Sequence, residues 1–209
     1  MVEQKADKST EDGASRWRRY WEVTAGRPPR PTLLFALDRF DAEGRPRIEA
    51  LDLGCGIGRD SLEILRRGHR LLAVDREPEA LARLRARVPP EDRARLRTEV
   101  ADLERWEVPA ADFVNASFVL HALAREGFDR LWRGIAAGLR PGGRVAGHLL
   151  GPEDSWVKRG RSWGVDRAQL DRLLAGFLVE KLEEEEDDSV TPRGEAKHWH
   201  IWHIVARRP

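Results

Sequence analysis

One stretch of the sequence, residues 48–65, restricts the possible folds of this chain more than any other. Its sequence, IEALDLGCGIGRDSLEIL, begins with the apolar run of a buried strand, passes through glycines at alternate positions and continues as an amphipathic helix that Asp60 or Ser61 could cap. A strand that leads through glycines into a helix lets a ligand approach backbone N–H groups. The stretch therefore predicts an α/β fold with a ligand-binding turn after a buried strand.

The composition limits the class of protein. The chain has 209 residues, of which 41% are hydrophobic and 35% charged, and no apolar run approaches the roughly 20 residues that span a bilayer. A formal net charge of +1 gives no overall field to attract nucleic acid. One cysteine excludes an internal disulfide, and the polar first residues lack the apolar core of a secretion signal. We therefore expect a cytoplasmic, globular protein without a membrane or nucleic-acid partner.

Strand and helix patterns alternate after the glycine turn, which predicts a parallel sheet with helices on both faces. The predicted strands span residues 48–53, 70–75, 96–101, 112–117 and 144–150, with a tight turn at residues 141–143. The predicted helices span residues 77–88, 128–139 and 166–176. Residues 177–186 and 198–207 resemble two successive strands, so we expect an antiparallel hairpin at one side of the sheet. The acidic run 183–188 is expected to be a solvated strand end and loop, with a docking patch as the alternative.

The first part of the chain precedes this alternating pattern. Residues 1–14 are polar and lack periodicity, so we expect them to be disordered. A short helix is predicted from Ser15 to a stop at Gly26, with Trp17 and Trp21 on the same face. A second predicted helix spans residues 31–40.

The spacing of the glycines separates two classes of cofactor. A dinucleotide-binding fold uses G-x-G-x-x-G to place a pyrophosphate on the helix N-terminus. Here Gly54, Gly56 and Gly58 have the spacing G-x-G-x-G, and Asp52 precedes them. A carboxylate so close to a diphosphate would repel it, whereas the same carboxylate suits a cationic amino group. The turn therefore favours a ligand with an amino-acid end.

Polar residues at the ends of the next three strands extend this interpretation. Asp75 follows the glycine turn by about the interval at which an acid binds ribose hydroxyls in such folds. Asp102, with the N–H group of Leu103, could contact the edge of an adenine. Asn115 and Ala116 end the fourth strand and should pass close to the centre of the ligand. The strand ends together predict contacts with an amino acid, a ribose and an adenine.

The segments LDLGCGIGRDSLEIL, VDREP, VADLE, DFVNASFVLHAL and LRPGGRVAGHLLG resemble class I S-adenosylmethionine-dependent methyltransferases over about residues 48–150. The short chain, the N-terminal aromatic helix and the ending KHWHIWHIVARR are similar, more narrowly, to small bacterial methyltransferases of the tellurite-resistance and thiopurine type. The resemblance implies a doubly wound α/β fold with a seven-stranded, mostly parallel sheet whose last strand is antiparallel. It also implies S-adenosyl-L-methionine as the cofactor.

The resemblance further implies which residues bind that cofactor. In order from its methionine end through the ribose to the adenine, they are Asp52, Gly54, Cys55, Gly56, Gly58, Asn115, Ala116, Asp75, Arg76, Asp102 and Leu103. In such relatives the N-terminal helix often covers the cofactor, and here Tyr20, Trp21 or Arg27 could do so. Arg27 could pair with the methionine carboxylate. Packing of the N-terminal tryptophans in the core is the alternative to a covering role.

Further side chains are candidates for contact with the methyl acceptor. His121 follows the fourth strand near the expected methyl position, where it could act as a base, contact the substrate or have a structural role. Trp156 lies in the loop after the fifth strand and could form a substrate wall or belong to an ordinary capped loop. His198 and His200 lie on one side of the last strand, but no cysteine or paired carboxylate completes a metal site, so we expect no metal. Cys55 is more consistent with packing than with nucleophilic catalysis.

The sequence is thus interpreted as a single methyltransferase domain, residues 15–209, that acts on a small molecule. Residues 15–47 would form a helical lid, residues 48–150 the cofactor-binding core, and residues 151–209 a substrate-side loop, a helix and the C-terminal hairpin. The acceptor atom stays open between sulfur, selenium or tellurium, oxygen and nitrogen, as does the oligomeric state. The alternatives are a non-catalytic module that binds S-adenosylmethionine and an NAD-dependent oxidoreductase, although the glycine spacing and the antiparallel ending disfavour the oxidoreductase.

Overall fold

The computed structural model describes residues 13–209, with side chains from residue 17 onward. The strands are β1 (Glu49–Leu53), β2 (Arg70–Asp75), β3 (Leu96–Val100), β4 (Ala111–Ala116), β5 (Leu139–Leu150), β6 (Leu178–Val190) and β7 (Ala196–Arg207). The helices are α1 (Gly13–Thr24), α2 (Pro31–Ala42), α3 (Ser61–Arg66), α4 (Pro78–Arg87), α5 (Arg125–Gly138), α6 (Ser155–Lys158) and α7 (Arg167–Leu173). Most of the predicted disordered segment, residues 1–12, lies outside the described residues, and α1 begins at Gly13 rather than Ser15. Within the described range, none of the helices has the length and apolarity needed to cross a membrane.

The strands described here form one seven-stranded sheet in the order β3-β2-β1-β4-β5-β7-β6. Strands β1 to β5 pair in parallel, whereas β7 runs antiparallel to both β5 and β6. The predicted α/β fold with an antiparallel last strand is confirmed. The direction of winding reverses between β1 and β4, and such a reversal opens a crevice beyond the carboxyl ends of the two strands.

Two apolar layers cover the faces of the sheet. On one face, α2, α3 and α4 bury Phe40, Leu65 and Leu84. On the other face, α5 and α7 bury Phe128 and Leu170. Complete burial of a side chain of this size contributes about 1.5–3 kcal/mol, so the layers hold the strand ends in fixed relative positions.

Several element boundaries differ from the sequence-based expectation, and three of them change how a segment is interpreted. The predicted turn at residues 141–143 lies within β5, because the N–H group of Gly142 donates to the carbonyl oxygen of Arg208 over 2.9 Å and keeps the bent segment paired with the end of the chain. The acidic run 183–188 is not a loop but part of β6, because β7 pairs with it along its length. Helix α5 begins at Arg125, three residues before its predicted start.

The connection from β3 to β4, residues 101–110, contains no α-helix. Trp106 instead packs against the face of the sheet that α5 and α7 cover, beside a surface cleft of about 650 Å³. The cleft is lined by Leu72 and also by Glu49 and Arg70, the first residues of β1 and β2. It therefore lies towards the amino ends of these strands, away from the glycine turn.

Candidate functional site

The glycine turn after β1 is held by hydrogen bonds from its own backbone. The N–H groups of Gly54 and Cys55 donate to the carbonyl oxygen of Val74, over 2.8 and 3.2 Å. The N–H group of Gly56 donates to a carboxylate oxygen of Asp75 over 2.8 Å. These N–H groups donate hydrogen bonds within the protein and are not free to bind a ligand, contrary to the prediction from the sequence. The turn is consequently poorly suited to bind a diphosphate.

Two glycines are required in this turn by both conformation and space. Gly54 has φ +64°, and a Cβ atom at this position would lie 2.5 Å from Cγ2 of Val119. Gly58 has φ +87°, and a Cβ atom there would lie 2.3 Å from Cδ1 of Leu84. A larger residue at either position would strain the backbone and displace its neighbour, so the alternating glycines allow the close approach of β1, α4 and the loop after β4.

The ends of β2 and β3 place two acidic residues next to each other. The half-buried carboxylate of Asp75 accepts hydrogen bonds from the N–H groups of Gly56 and Glu77, and the Asp75 carbonyl oxygen accepts one from the N–H group of Ala101. Asp102 follows Ala101 directly, and its side chain is exposed. The predicted ribose and adenine residues therefore lie on neighbouring strand ends. A carboxylate oxygen can accept more than one hydrogen bond, so Asp75 retains acceptor capacity for a ligand.

Three other residues predicted to bind the cofactor differ in how far they are exposed to solvent. Leu103 is buried in the core under α5, so only its backbone could contact a ligand. Arg76 is exposed and lies with its guanidinium 5.8 Å from the ring centre of Trp17. Ala116, the last residue of β4, is buried.

Three buried side chains form a network at the switch between β1 and β4. Asp52 and Asn115 are direct partners in the sheet, and the Asn115 amide donates to Asp52 over 2.8 Å and to Asp60 over 3.1 Å. Ser61 donates a 2.5 Å hydrogen bond to the other oxygen of Asp52. Within residues 17–209, no lysine or arginine forms an ion pair with Asp52 or Asp60. Two buried carboxylates therefore share one neutral amide.

This network changes the proton affinity of Asp52. Burial, followed by the nearby charge of Asp60, raises the pKa of Asp52 to about 7. The Asp60 side chain does not cap α3 as predicted, because its oxygens accept from Asn115 and from the N–H group of Arg30 instead. A cationic group that entered the network would compensate both carboxylates.

Helix α1 lies against the glycine turn through Trp21. A Cβ atom built on Gly56 would lie 3.5 Å from Nε1 of Trp21, and the Trp21 side chain is buried against Ile57 and Ala80. An ion pair of 2.7 Å between Arg18 and Glu79 joins α1 to α4. Of the aromatic residues predicted for this helix, Trp21 is therefore the one on the turn.

Tyr20 and Arg27, the other two residues predicted to cover the cofactor, are less buried than Trp21. Tyr20 is half-buried and makes an edge contact with Trp17, with ring centres 5.8 Å apart. Arg27 is exposed.

Arg30 is a candidate that the sequence interpretation missed. Its guanidinium lies 4.0 Å from the ring centre of Phe118, and burial, reinforced by the charge of Arg59, lowers its pKa. No carboxylate in the described part of the chain forms an ion pair with this guanidinium. Arg30 has the extended conformation, φ −74° and ψ 143°, that a following proline imposes, and this turns the chain back towards the sheet. The dipeptide Arg30-Pro31 was therefore the sequence feature from which this direction of the chain could have been predicted.

A group of ring side chains, which we call the aromatic cluster, lies at the carboxyl ends of β4 and β5. Its members are Phe118, His121, His148, Trp156 and Trp199. Phe118 stacks on His148 with ring centres 4.3 Å apart, and Trp156 stacks on His121 at 6.1 Å. Trp199 of β7 makes edge contacts with both Phe118 and Trp156. The structure thus brings together the two predicted acceptor candidates, His121 and Trp156.

A buried ion pair supports one wall of the aromatic cluster. Lys197 and Asp154, 3% and 0% exposed, form an ion pair, and the Lys197 ammonium lies 4.1 and 4.2 Å from the ring centres of Trp156 and Trp199. Burial lowers the pKa of Lys197, although Asp154 opposes this effect. Asp154 also caps α6 by accepting from the N–H group of Trp156 over 2.8 Å. The pair therefore joins the loop after β5 to β7.

The remaining histidines and the cysteine have other partners. His198, His200 and His203 each pair with carboxylates of β6, at ring-nitrogen distances of 2.8–3.1 Å. No group of three or more metal-ligating side chains was found in the described residues. Burial, with the nearby charge of Asp52, raises the pKa of the Cys55 thiol well above its ordinary value, which disfavours a thiolate nucleophile.

Known proteins share the fold of this chain, and one family model matches part of its sequence. Residues 50–143 match the family model described as a methyltransferase domain. No curated protein sequence matches the chain. Magnesium protoporphyrin IX methyltransferase (ChlM) from Synechocystis PCC 6803, solved with bound S-adenosylhomocysteine, is 15% identical with a TM-score of 0.70, over 94% of this chain and 95% of that one.

Two further solved structures share the fold. TehB from Haemophilus influenzae is 17% identical with a TM-score of 0.68 over 84% of this chain, and the chain spans 62% of its length. The N-methyltransferase NodS from Bradyrhizobium japonicum WM9 is 15% identical with a TM-score of 0.64, over 98% of this chain and 94% of that one. The chain thus shares the fold of these solved methyltransferases, and its residues 50–143 match a methyltransferase domain. The NodS structure contains S-adenosyl-l-homocysteine, as the ChlM structure does.

Proposed function

We propose that the protein methylates a small molecule at the carboxyl ends of β1, β4 and β5. The observation that carries this proposal is the convergence of the predicted cofactor residues on one edge of the sheet. Asp52 and Asn115 are paired across the switch point, Asp75 ends β2, and Asp102 follows the end of β3 by two residues. The aromatic cluster lies on the other side of β4, where an acceptor can meet the methyl group.

The charges of the site fit the methionine end of S-adenosylmethionine. Asp52 and Asp60 are buried acids that form no ion pair within the described residues, and they suit the amino group of the methionine. Arg30 is a half-buried cation whose guanidinium forms no ion pair within the described residues, although the charge of Asp60 is near, and it suits the methionine carboxylate. In this proposal Arg30 takes the role that the sequence suggested for the exposed Arg27. The half-buried Asp75 then faces the ribose hydroxyls.

When bound, S-adenosylmethionine supplies a methyl group that its sulfonium charge already activates. The residues of the protein have to hold the acceptor in line with that group and exclude water. Trp21, which lies on the glycine turn, contributes to the exclusion of water as part of a helical lid. A thiolate, selenide or telluride acceptor needs no base, whereas a hydroxyl or amine acceptor needs a group that takes its proton.

The proposed function is tested by product formation. Purified protein is incubated with S-adenosylmethionine and a panel of small thiols, phenols, amines and tellurite, and S-adenosylhomocysteine is quantified. We expect turnover with at least one acceptor above the rate without acceptor. S-adenosylmethionine binding by calorimetry without turnover on any acceptor would instead support a non-catalytic binding module. Thermal stabilisation by NADH and not by S-adenosylmethionine would contradict the proposal.

Replacement of Asp75 by alanine tests the ribose contact. We expect S-adenosylhomocysteine to bind about 10–100-fold more weakly, because hydrogen bonds to a charged group contribute about 1.5–3 kcal/mol. Calorimetric titration measures this change, and circular dichroism confirms that the fold is retained. Asp102→Ala is the matched strand-end control, and we expect a smaller loss because its carboxylate is exposed. Unchanged affinity in Asp75→Ala would exclude the ribose role.

The ionisation of Asp52 predicts a pH dependence of cofactor binding. Because its pKa is raised to about 7, Asp52 is mostly protonated at about pH 6 and mostly ionised at about pH 8. Its ionised form attracts the cationic amino group, so we expect the affinity for S-adenosylhomocysteine to rise by up to about tenfold between these values. Calorimetry at both values measures the rise. A flat profile would place the amino group away from this carboxylate.

A further inference from the structure

The loop that joins β4 to α5, residues 117–124, contacts both ends of the proposed cofactor site. Near its start, Val119 packs so close to the glycine turn that a Cβ atom on Gly54 would lie 2.5 Å from its Cγ2 atom. At its end, the N–H group of Ala124 donates a 2.7 Å hydrogen bond to a carboxylate oxygen of Glu104, which lies in the turn predicted to bind the adenine. We call this segment the β4–α5 loop.

The direction in which Glu104 leaves β3 is set by the preceding aspartate. The N–H group of Glu104 donates to the side chain of Asp102 over 3.1 Å, and the N–H group of Arg105 donates to the Asp102 carbonyl oxygen over 3.0 Å. An aspartate side chain that accepts from the N–H group two residues later closes a tight local turn. The exposed carboxylate of Asp102, predicted to contact the adenine, therefore also positions Glu104.

Helix α5 holds Glu104 at two points. Ala124, which donates to its carboxylate, directly precedes the first residue of α5, and a carboxylate at the start of a helix is also favoured by the helix dipole. The guanidinium of Arg130 donates to the Glu104 carbonyl oxygen over 2.5 Å. Both the side chain and the backbone of Glu104 are therefore tied to α5.

The presence of Gly127 in α5 is explained by the same side chain. Glycine is a poor helix former compared with alanine. The backbone of Gly127 is helical, but a Cβ atom at this position would lie 2.6 Å from Cγ and 2.8 Å from Cβ of Glu104. Space, rather than backbone conformation, requires glycine here. The Glu104 side chain therefore crosses α5 where the helix leaves room for it.

The other side of the β4–α5 loop is anchored to the segment after α6. The hydroxyl of Ser162 donates to the carbonyl oxygen of His121, and the indole N–H group of Trp163 donates to the carbonyl oxygen of Leu123, each over 2.7 Å. The loop is thus held from two sides, and Glu104 supplies a hydrogen bond from the side of the cofactor.

The backbone of Phe118 shows that the β4–α5 loop is under strain. With φ +55°, Phe118 is the one non-glycine residue in the left-handed region among the described residues. This conformation is unfavourable for a bulky residue and persists where the surrounding contacts hold it. The anchors on the two sides of the loop supply such contacts, so the order of the loop should depend on how firmly each anchor is itself held.

We propose that Glu104 is a positioning residue that couples occupancy of the adenine site to the order of the β4–α5 loop. The inference rests on the proposed function. An adenine held by Asp102 and by the backbone of Leu103 immobilises the turn from which the Glu104 side chain extends. The Glu104 carboxylate then fixes the start of α5 and the loop before it, which carries His121. Binding of the cofactor thereby orders the loop beside the place where the methyl group is transferred.

Hydrogen exchange measures this coupling without a methylation assay. The amides of Ala122 and Leu123 are suitable reporters, because they donate to the carbonyl oxygens of Val119 and Leu120 within the loop and not to Glu104. The protein is saturated with 5′-methylthioadenosine, which carries the adenine and the ribose, or with L-methionine, which carries neither. We expect 5′-methylthioadenosine to slow exchange at both amides by about tenfold, and L-methionine by less than about twofold.

Matched variants, compared at saturation with 5′-methylthioadenosine, identify the coupling residue. Glu104→Ala removes the carboxylate and Gly127→Ala displaces it, so both should reduce the slowing to less than about twofold. Glu104→Gln keeps an oxygen that can accept from the N–H group of Ala124 and should keep most of the effect. Ser162→Ala loosens the loop from its other side, so exchange should be faster with and without ligand while the ratio stays the same. Glu107→Ala, at an exposed glutamate of the same connection, should behave as the wild type.

The outcomes separate this inference from the proposed function. Slowing of the wild-type size in Glu104→Ala would overturn the inference, and so would an equal effect of L-methionine on the wild type. Circular dichroism checks that the variants fold, and Gly127→Ala gives the same test if Glu104→Ala does not fold. If neither 5′-methylthioadenosine nor S-adenosylhomocysteine binds the wild type, the proposed function is refuted. Binding of 5′-methylthioadenosine without slower exchange in the loop would refute the inference alone.

Discussion

Replacement of Lys197 by alanine is expected to lower the free energy of unfolding by about 3–5 kcal/mol, because removal of one partner leaves a charge buried without compensation. The remaining carboxylate of Asp154 is completely buried and would keep only its hydrogen bonds from backbone N–H groups. Denaturant titration of the wild-type and Lys197→Ala proteins measures the difference. The aromatic cluster should also lose its support on the Trp156 side in the same variant.

Two further variants separate the charge from the loss of packing. Lys181→Ala removes a lysine whose carboxylate partner, Glu183, is exposed, and we expect a change below about 1 kcal/mol. The double variant Lys197→Met with Asp154→Asn removes both charges and keeps an oxygen that can cap α6. We expect it to recover most of the lost stability. A loss of less than about 1 kcal/mol in Lys197→Ala would mean that water or another cation compensates Asp154.

Replacement of Asp52 by asparagine is expected to weaken S-adenosylhomocysteine binding by about 10–100-fold and to stabilise the ligand-free protein. The loss of affinity follows because the amide offers no charge to the methionine amino group. The gain in stability follows because the folded state holds Asp52 at a pKa of about 7, well above its ordinary value. The folded protein thus retains a proton that the unfolded chain releases, and this contribution to stability is lost as the pH rises through about 7.

The pH dependence provides the measurement. Thermal unfolding without ligand should show that the advantage of Asp52→Asn over the wild type is small near pH 4 and largest above about pH 7. Asp60→Asn is the matched control, because it removes the neighbouring charge and leaves the Asp52 carboxylate in place. We expect Asp60→Asn to be stabilised as well, with a much smaller loss of affinity. An Asp52→Asn protein that is less stable at about pH 8, or that binds as the wild type does, would contradict the role of this network.

The parts of the fold that were predicted correctly are those with a local signal. The apolar run before the glycines identifies β1 without any knowledge of its neighbours, and the regular alternation of strands and helices implies which strand ends meet. Asp52 and Asn115 could therefore be placed together, although 63 residues separate them in the sequence. The ends of β5 and β6 were misjudged because pairing with β7 overrides the local turn and charge signals.

The parts of the site that were missed depend on packing between distant segments. Lys197 and Asp154 are 43 residues apart, and neither position shows in the sequence that it will be buried. Arg30 reaches Phe118 only because Pro31 fixes the direction of the chain and because the unusual backbone of Phe118 turns its ring towards β5. Such contacts are properties of the assembled fold rather than of a periodic pattern.

The acidic strand β6 also has a consequence for the behaviour of the protein at high concentration. It is a 13-residue strand at the edge of the sheet, with β7 as its neighbour on one side, and a long exposed edge is a template for pairing with a second molecule. The run of six acidic residues, 183–188, would face the same run of another copy in antiparallel pairing, and like charges opposite each other are unfavourable. The charge of this strand therefore protects the protein from edge-to-edge aggregation.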